Sequence, residues 1–582
     1  MPRDDLKDDT WLSAEQLAKC ARADAAEPFR SPIPTQIVSN GEWMPMPQTP
    51  EQQRVEARIK DLTETASKKL GISRREFLAG TGGMAAAFLA MNEVFGPFFE
   101  VSPIELLEPE AFAAAGTPGN LFVFDDQLHM VRSSILGPRV LRALAQGPTS
   151  PSPEFSGNPF NPGGLLDEFG SAWSAWDKSL VGRPFTEDMF QLVQFIKDVY
   201  LDSQVTTAVL SNITGFLPGF ITDGIPHSVV EARKLEILTA AQTAGVRDFI
   251  NQIAGSRRLH AHGLLYPGIG NLDYIDFQAH EYVPDSWKGY CISLAAKVDQ
   301  NPKSEMREWR LDDEAVAYPS YEVISKHQRR LGGKRPGFGN ICVHKGFAPV
   351  YVPADDRPER GNPDDIPKVA SDWPNFNFII YHACLGPALF YSPEPLQQLL
   401  SHAPPLREGV PDIRWTTRFA VLARPFSNVF AEIGSTFAST VITFPTIWAH
   451  LIGQLLKFMG SERIVFGSDS LWYGSPQWQI EAFWRFNIPE KLRKQWDYPR
   501  LTHDDKRNIL GLNSARLYDV PTSVRAYNPV PSDYASRIPD NLKKLLEFPG
   551  FTGDNLSRIK RRYLAEGPVP EHTRYGWIRA AI

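Results

Sequence analysis

Short apolar runs recur along the chain between residues 120 and 470, and amphipathic segments separate many of them. Segments such as 228–255 and 444–460 repeat apolar residues at helical spacing. Eight runs have the length and composition of strands that are buried on both faces: 121–125, 206–213, 258–267, 289–295, 340–346, 377–383, 428–434 and 463–469. Their alternation with helices predicts an α/β fold, a distorted (β/α)8 TIM-like barrel with long loop insertions and a C-terminal extension.

Most of the predicted strands end in polar or ionisable side chains. These are Asp125, Asp126, Gln127, His129, His262, His344, Lys345, His382, Glu432 and Asp469. In such a barrel the carboxyl ends of the strands form one ring, and this ring carries the chemistry. A single histidine or aspartate there is often a core residue or a helix cap. Several at the same end of successive strands indicate a site, and imidazoles with a carboxylate suit a divalent metal with an open position for water.

The order of the motifs resembles the amidohydrolase-related family of metal-dependent hydrolases, especially the branch that includes aminocarboxymuconate semialdehyde decarboxylase and the resorcylate decarboxylases. The resemblance runs from about residue 120 to residue 520. Its most specific pieces come last, since "RIVFGSD" is followed some forty residues later by "ILGLNSARL". The pieces are "DDQLH" (125–129), "WKGY" (287–290), "CVHKG" (342–346), "YHACLG" (381–386), "ERIVFGSDSLW" (462–472) and "NILGLNSARLYDV" (508–520).

The resemblance implies a set of roles for the ring. His129 and His344 would bind one divalent ion, with zinc as the first expectation and manganese or iron as alternatives. Asp469 would be a further ligand or would orient the attacking water, and His382 would be the acid/base histidine or an additional ligand. Lys288 falls where some relatives carry a carboxylated lysine that bridges two metals, although a structural lysine is the simpler interpretation.

Gln127 departs from the pattern of the family. Relatives carry a histidine or an acid at this position, whereas an amide oxygen is a weak, neutral ligand. Strand alternation puts Asp125, Gln127 and His129 on one face and Asp126 on the other. Three interpretations stay open: Gln127 coordinates weakly, Asp125 or Asp126 reaches the metal through a local bulge, or the site has lost a ligand.

The sequence predicts a hydrolase that uses metal-activated water on a C–N or C–O bond, in an amide or lactone, of a small molecule. One alternative is metal-dependent non-oxidative decarboxylation of an aromatic or enolic acid, which a second basic group aimed at the carboxylate would favour. Another is a degenerate, non-catalytic barrel with a binding role. Candidate substrate contacts are His262, Glu432, Trp472, Tyr473 and Lys288.

Composition narrows the choice of partners. A net charge of −6 over 582 residues, without a basic stripe, argues against nucleic acid. Four scattered cysteines without a CxxC motif do not make a disulfide framework. A homodimer is compatible with the sequence, although no motif fixes it.

The N-terminal region resembles a twin-arginine export signal. "SRREFLAGTGGMAAAFLA" (73–90) places two arginines before a Gly/Ala-rich apolar run, and "AFAAAG" (111–116) offers small residues for cleavage. The expectation is export through the twin-arginine machinery to the periplasm, with a mature protein that starts near 114–116. The alternative is a cytoplasmic protein with an ordinary N-terminal arm. The predicted division is an arm (1–72), a signal region (73–115), a barrel (116–520) and an extension (521–582).

Overall fold

The structure is a computed structural model. It describes residues 31–33, 35, 49–130, 192–212, 236, 238–291, 309–346, 361–386, 393–401, 403–441, 444–471, 473–522 and 555–565. The strands are β1 (Phe124–Leu128), β2 (Thr207–Leu210), β3 (Leu259–Leu264), β4 (Ser286–Tyr290), β5 (Asn340–His344), β6 (Asn377–Tyr381), β7 (Leu406–Arg407), β8 (Val410–Pro411), β9 (Val429–Glu432) and β10 (Ile464–Val465).

The α-helices precede, separate and follow these strands. They are α1 (Pro50–Leu70), α2 (Arg74–Ala79), α3 (Thr81–Phe95), α4 (Pro109–Ala115), α5 (Leu192–Phe195), α6 (Ala240–Ala254), α7 (Leu272–Glu281), α8 (Tyr318–Leu331), α9 (Ile366–Asp372), α10 (Pro393–Leu400), α11 (Trp415–Ala423), α12 (Gly434–Thr440), α13 (Pro445–Met459), α14 (Gln477–Arg485), α15 (Glu490–Trp496), α16 (His503–Arg507), α17 (Asn513–Tyr518) and α18 (Asn555–Ala565). Among the described residues, no helix is long and apolar enough to cross a membrane.

Eight strands form one parallel sheet in the order β1, β2, β3, β4, β5, β6, β9, β10. The sheet closes between its two edges, because Asp126 N donates to the Phe466 carbonyl and Asp469 N donates to the Gln127 carbonyl, each over 2.9 Å. The predicted TIM-like barrel is confirmed. The strands β7 and β8 form a separate two-stranded antiparallel hairpin.

The fourth strand lies earlier in the chain than predicted. The sequence prediction was 289–295, whereas β4 covers Ser286–Tyr290. The error has a physical cause. Lys288 is completely buried and Ser286 hydrogen-bonds inside the barrel, so two polar residues that precede the predicted apolar run are part of the strand.

Aromatic rings fill the end of the barrel where the strands begin. Phe124 stacks on His260 with ring centroids 5.5 Å apart, and on Tyr518 of α17 at 5.1 Å. Asp285 lies 3.6 Å from His260, whose pKa is lowered because it is buried. Packed side chains fill this end of the barrel. The candidate reactive residues therefore lie at the opposite end, where the strands finish.

The N-terminal helices pack on the barrel. Met84, Phe88 and Met91 of α3 share one continuous hydrophobic core with barrel residues. Arg485 of α14 is completely buried, and its guanidinium donates to Glu105 at 2.7 Å and to the Phe112 carbonyl at 2.9 Å. The apolar run of the predicted export signal is therefore part of the core. Export itself stays a prediction.

Candidate active site

Seven polar side chains form a ring inside the barrel, and all except Lys288 lie at or next to the carboxyl ends of the strands. Each is at most 5% exposed, so the ring is shielded from bulk water: Gln127, His129, Lys288, His344, His382, Glu432 and Asp469. Burial on this scale requires that polar groups find partners inside the protein. The ring divides into smaller groups of contacts.

Asp469 is the centre of the first group. It follows β10 with a positive φ of 57°, a conformation that costs energy in a residue other than glycine. Its Oδ1 lies 2.9 Å from Gln127 Nε2 and 2.9 Å from His129 Nε2. Its Oδ2 accepts a hydrogen bond from Ser435, which in turn accepts one from Tyr473 at 2.9 Å. The structure thus brings Gln127, His129 and Asp469 together.

Asp125 binds backbone N–H groups and does not join the group around Asp469. Its Oδ1 accepts hydrogen bonds from Ser468 N at 2.9 Å and from Gln127 N at 3.2 Å. Burial raises the pKa of Asp125 to about 7. The register between β1 and β2 shifts between Asp125 and Leu128, which marks the local bulge. Asp126 points elsewhere and accepts from Ser514.

His344 and His382 form the second group. His382 Nε2 lies 3.2 Å from His344 Nδ1, and Tyr290 stacks on the His344 ring with centroids 4.9 Å apart. His382 has a φ of 63°, and its backbone N–H donates to Glu432 over 3.0 Å. Burial, together with the neighbouring His344, keeps the pKa of His382 well below its ordinary value. The environment of His382 therefore favours the neutral imidazole.

Lys288 lies in the middle of β4 and points into the barrel. Its Nζ sits 3.3 Å above the centroid of the Tyr381 ring, a cation–π contact. Among the described side chains, none hydrogen-bonds to this ammonium group. Burial lowers the pKa of Lys288 to about 7, against the opposing attraction of Cys342, Glu432 and Asp469.

His262 is fully engaged in a chain of hydrogen bonds. Ser286 donates to its Nδ1 over 2.7 Å, and its Nε2 lies 2.9 Å from the Tyr381 hydroxyl. Tyr381 donates in turn to the Asp126 carbonyl over 2.8 Å. The candidate substrate contact His262 therefore has no ring nitrogen left for a ligand, and its role is to hold Tyr381 under Lys288.

Glu432 and Tyr473, two further candidate substrate contacts, are held by hydrogen bonds within the protein. Glu432 holds backbone N–H groups of His382 and Gly434, and burial raises its pKa well above the ordinary value. Tyr473 reaches the site through Ser435, and Trp472 lies outside the described residues. Sequence reasoning missed Ser435 and Tyr381. The position of Ser435, three residues after the end of β9, is the signal that could have identified it.

A divalent metal does not fit the described residues as they lie. Catalytic zinc sites use three protein ligands and an open position. Within the described part of the chain, no three His, Cys, Asp or Glu side chains converge on one point. The donors lie instead as two pairs, His129 with Asp469 and His344 with His382. The divalent ion therefore stays a prediction.

One family profile matches part of the chain. Residues 332–520 match the sequence profile of the family described as amidohydrolase. No curated protein matches the chain.

Among solved structures, 5-carboxyvanillate decarboxylase from Sphingomonas paucimobilis is 10% identical, with a TM-score of 0.37 over 69% of this chain and 100% of that one. The 5-carboxyvanillate decarboxylase of Novosphingobium aromaticivorans, complexed with manganese, is 11% identical, with a TM-score of 0.35 over 69% and 97%. A probable 2-pyrone-4,6-dicarboxylic acid hydrolase from Acinetobacter baumannii is 10% identical, with a TM-score of 0.33 over 68% and 99%. Scores this low assign no reaction.

Proposed function

We propose that the chain is an enzyme that removes carbon dioxide, without an oxidant, from a small aromatic or enolic carboxylic acid. The match of residues 332–520 to the amidohydrolase profile supports an enzyme on this barrel. The observation that carries the proposal is the buried ammonium group of Lys288, which lies inside the ring without a hydrogen-bond partner among the described side chains.

Loss of carbon dioxide leaves an electron pair on carbon, which an aromatic ring or an enol delocalises onto a conjugated oxygen. A cation in a dry site stabilises that charge far better than water does. Lys288 is such a cation. A pKa of about 7 also suits it to give its proton to the carbon that carbon dioxide has left. Solvent then restores the proton, so atoms and charge balance.

His382 and His344 are placed to orient the substrate. Both are buried, and the contact of 3.2 Å between them lets one ring donate while the other accepts. A hydroxyl group next to the carboxylate of the substrate offers a matching donor and acceptor. The proposed roles are therefore charge stabilisation and protonation for Lys288, and positioning of the hydroxyl for His382.

Hydrolysis is supported less well. It requires one group that orients the attacking water and another that takes its proton, and the family resemblance implied Asp469 for the first role and His382 for the second. This carboxylate already accepts hydrogen bonds from Gln127 and Ser435 and contacts His129. No step of the proposal passes through a metal ion, because the described donors do not form a three-ligand site.

A substrate panel tests the proposal. The full chain is incubated with hydroxybenzoic and enolic acids and, in parallel, with lactones and amides, while carbon dioxide and ring opening are monitored. We expect carbon dioxide from at least one acid, and a loss of about 100-fold in His382→Asn. The control is His450→Asn, a buried histidine on α13 that hydrogen-bonds to Tyr498 at 3.1 Å outside the ring. Turnover of lactones or amides alone would overturn the proposal.

A further inference from the structure

We infer that the side-chain amide of Gln127 takes the place of a divalent cation, so that His129 and Asp469 are held together without a metal. A metal ion would bind between an imidazole nitrogen and a carboxylate oxygen. In this barrel Gln127 Nε2 lies 2.9 Å from Asp469 Oδ1 and 3.2 Å from His129 Nε2. The amide nitrogen thus occupies the position next to both groups.

The Asp469 carboxylate accepts hydrogen bonds, and this determines that the nitrogen of the Gln127 amide faces it. If the amide oxygen stood at this position, it would lie 2.9 Å from a carboxylate oxygen with no proton or cation between them. The amide nitrogen carries two protons and donates one of them to the carboxylate. Metal coordination by Gln127 would need the amide oxygen in this position. The amide would therefore have to rotate by half a turn, which breaks its hydrogen bond to Asp469.

Two glycines make room for the Gln127 side chain. A Cβ on Gly434 would stand 2.6 Å from Gln127 Oε1, and a Cβ on Gly467 would stand 2.9 Å from Gln127 Cβ. Contacts this short leave no space for a larger residue at either position. The pocket therefore encloses the amide tightly, and Oε1 has no hydrogen-bond partner among the described residues.

The carboxylate itself has no need of a cation. Its Oδ1 contacts the Gln127 amide and His129, and its Oδ2 accepts from Ser435. Hydrogen bonds of this kind are what a buried carboxylate requires. Lys288 supplies positive charge to the same ring and attracts Asp469. A metal would have to displace the amide and face that ammonium group.

One substitution should convert the group of Gln127, His129 and Asp469 into a metal-binding site. Gln127→Glu replaces a hydrogen-bond donor by a second carboxylate next to Asp469, and two carboxylates with an imidazole make a three-ligand site for a hard or borderline cation. We expect the parent protein, purified without added metal, to contain well under one equivalent of manganese, iron or zinc. Gln127→Glu should take up about one equivalent and melt several degrees higher when Mn²⁺ or Zn²⁺ is added.

Matched variants separate metal binding at residue 127 from the effect of an added negative charge alone. Gln479→Glu adds a buried carboxylate at a neighbouring residue whose amide donates to the Ser468 carbonyl at 2.8 Å, and it should gain no metal. The double variant Gln127→Glu/His129→Asn should lose most of the gained affinity, because one ligand is missing.

Elemental analysis and thermal titration with Mn²⁺, Zn²⁺ and a chelator decide the inference. One equivalent of metal in the parent protein, with a melting temperature that falls on chelation, would overturn it. So would a folded Gln127→Glu variant that binds no metal. If that variant does not fold, the measurements on the parent protein still decide. These readouts need no substrate, so they are independent of the decarboxylation proposal.

Discussion

Burial of the Lys288 ammonium group costs free energy that an apolar side chain of the same length would not cost. Its pKa of about 7 lies below the ordinary value of 10.5 because burial disfavours the charged form. Lys288→Met should therefore stabilise the fold near pH 7 by about 2–4 kcal/mol, while it lowers turnover at least about 100-fold. Thermal or denaturant unfolding measures the first effect. A destabilised Lys288→Met protein would show that the lysine is structural.

The same residue predicts how stability depends on pH. Lys288 is protonated in the folded and the unfolded chain below pH 7, so the full cost of burying the charge applies there. Between about pH 7 and pH 10.5 the folded chain loses this proton first, and the cost disappears. The free energy of unfolding should therefore rise over this interval in the parent protein relative to Lys288→Met. Parallel urea titrations at several pH values measure the difference.

The sequence predicted which residues form the ring but not the contacts between them. Their positions at the ends of predicted strands and the family resemblance pointed to His129, His344, His382 and Asp469, and the structure buries all four at the carboxyl ends of the strands. The contact between Lys288 and Tyr381 joins β4 to β6, and the hydrogen bond from Ser435 joins two loops. Such distant pairs depend on how the barrel closes, which no local pattern records.

A buried ion pair joins the N-terminal segment to α14. Arg485 is completely buried and pairs with Glu105 and Glu481. Glu105→Gln leaves the guanidinium with a weaker partner and should lower the free energy of unfolding by about 1–3 kcal/mol. Glu110→Gln is the control, because Glu110 is exposed on the first turn of α4. Equal effects of the two substitutions would contradict the importance of this ion pair.

The elements differ in how well their sequence predicts them. The strands β5 and β6 begin at the predicted residues, because their apolar runs are bounded by polar ones. The weakly apolar run of α3 was interpreted as part of an export signal, although its Met84 and Phe88 lie in the core. The same apolar residues suit an export machinery or a barrel surface, so the sequence alone does not separate the two.

For the whole molecule, the packing of the N-terminal segment makes a prediction about processing. Cleavage near 114–116 would remove Glu105 and the Phe112 carbonyl from Arg485, and α3 from the core. A protein that starts at residue 117 should therefore be insoluble or strongly destabilised, whereas one that starts at residue 49 should retain its fold. Expression of both, followed by unfolding curves, measures this. A stable protein from residue 117 onward would mean that the segment is dispensable.

Lys288 is the residue through which we propose that this barrel decarboxylates a small acid. The most direct measurement is release of carbon dioxide from the acid that the parent protein turns over fastest, compared with Lys288→Met, with a chelator present in both. We expect carbon dioxide from the parent protein and a loss of at least about 100-fold in the variant. Equal release from both proteins, or none from any acid tested, would contradict it.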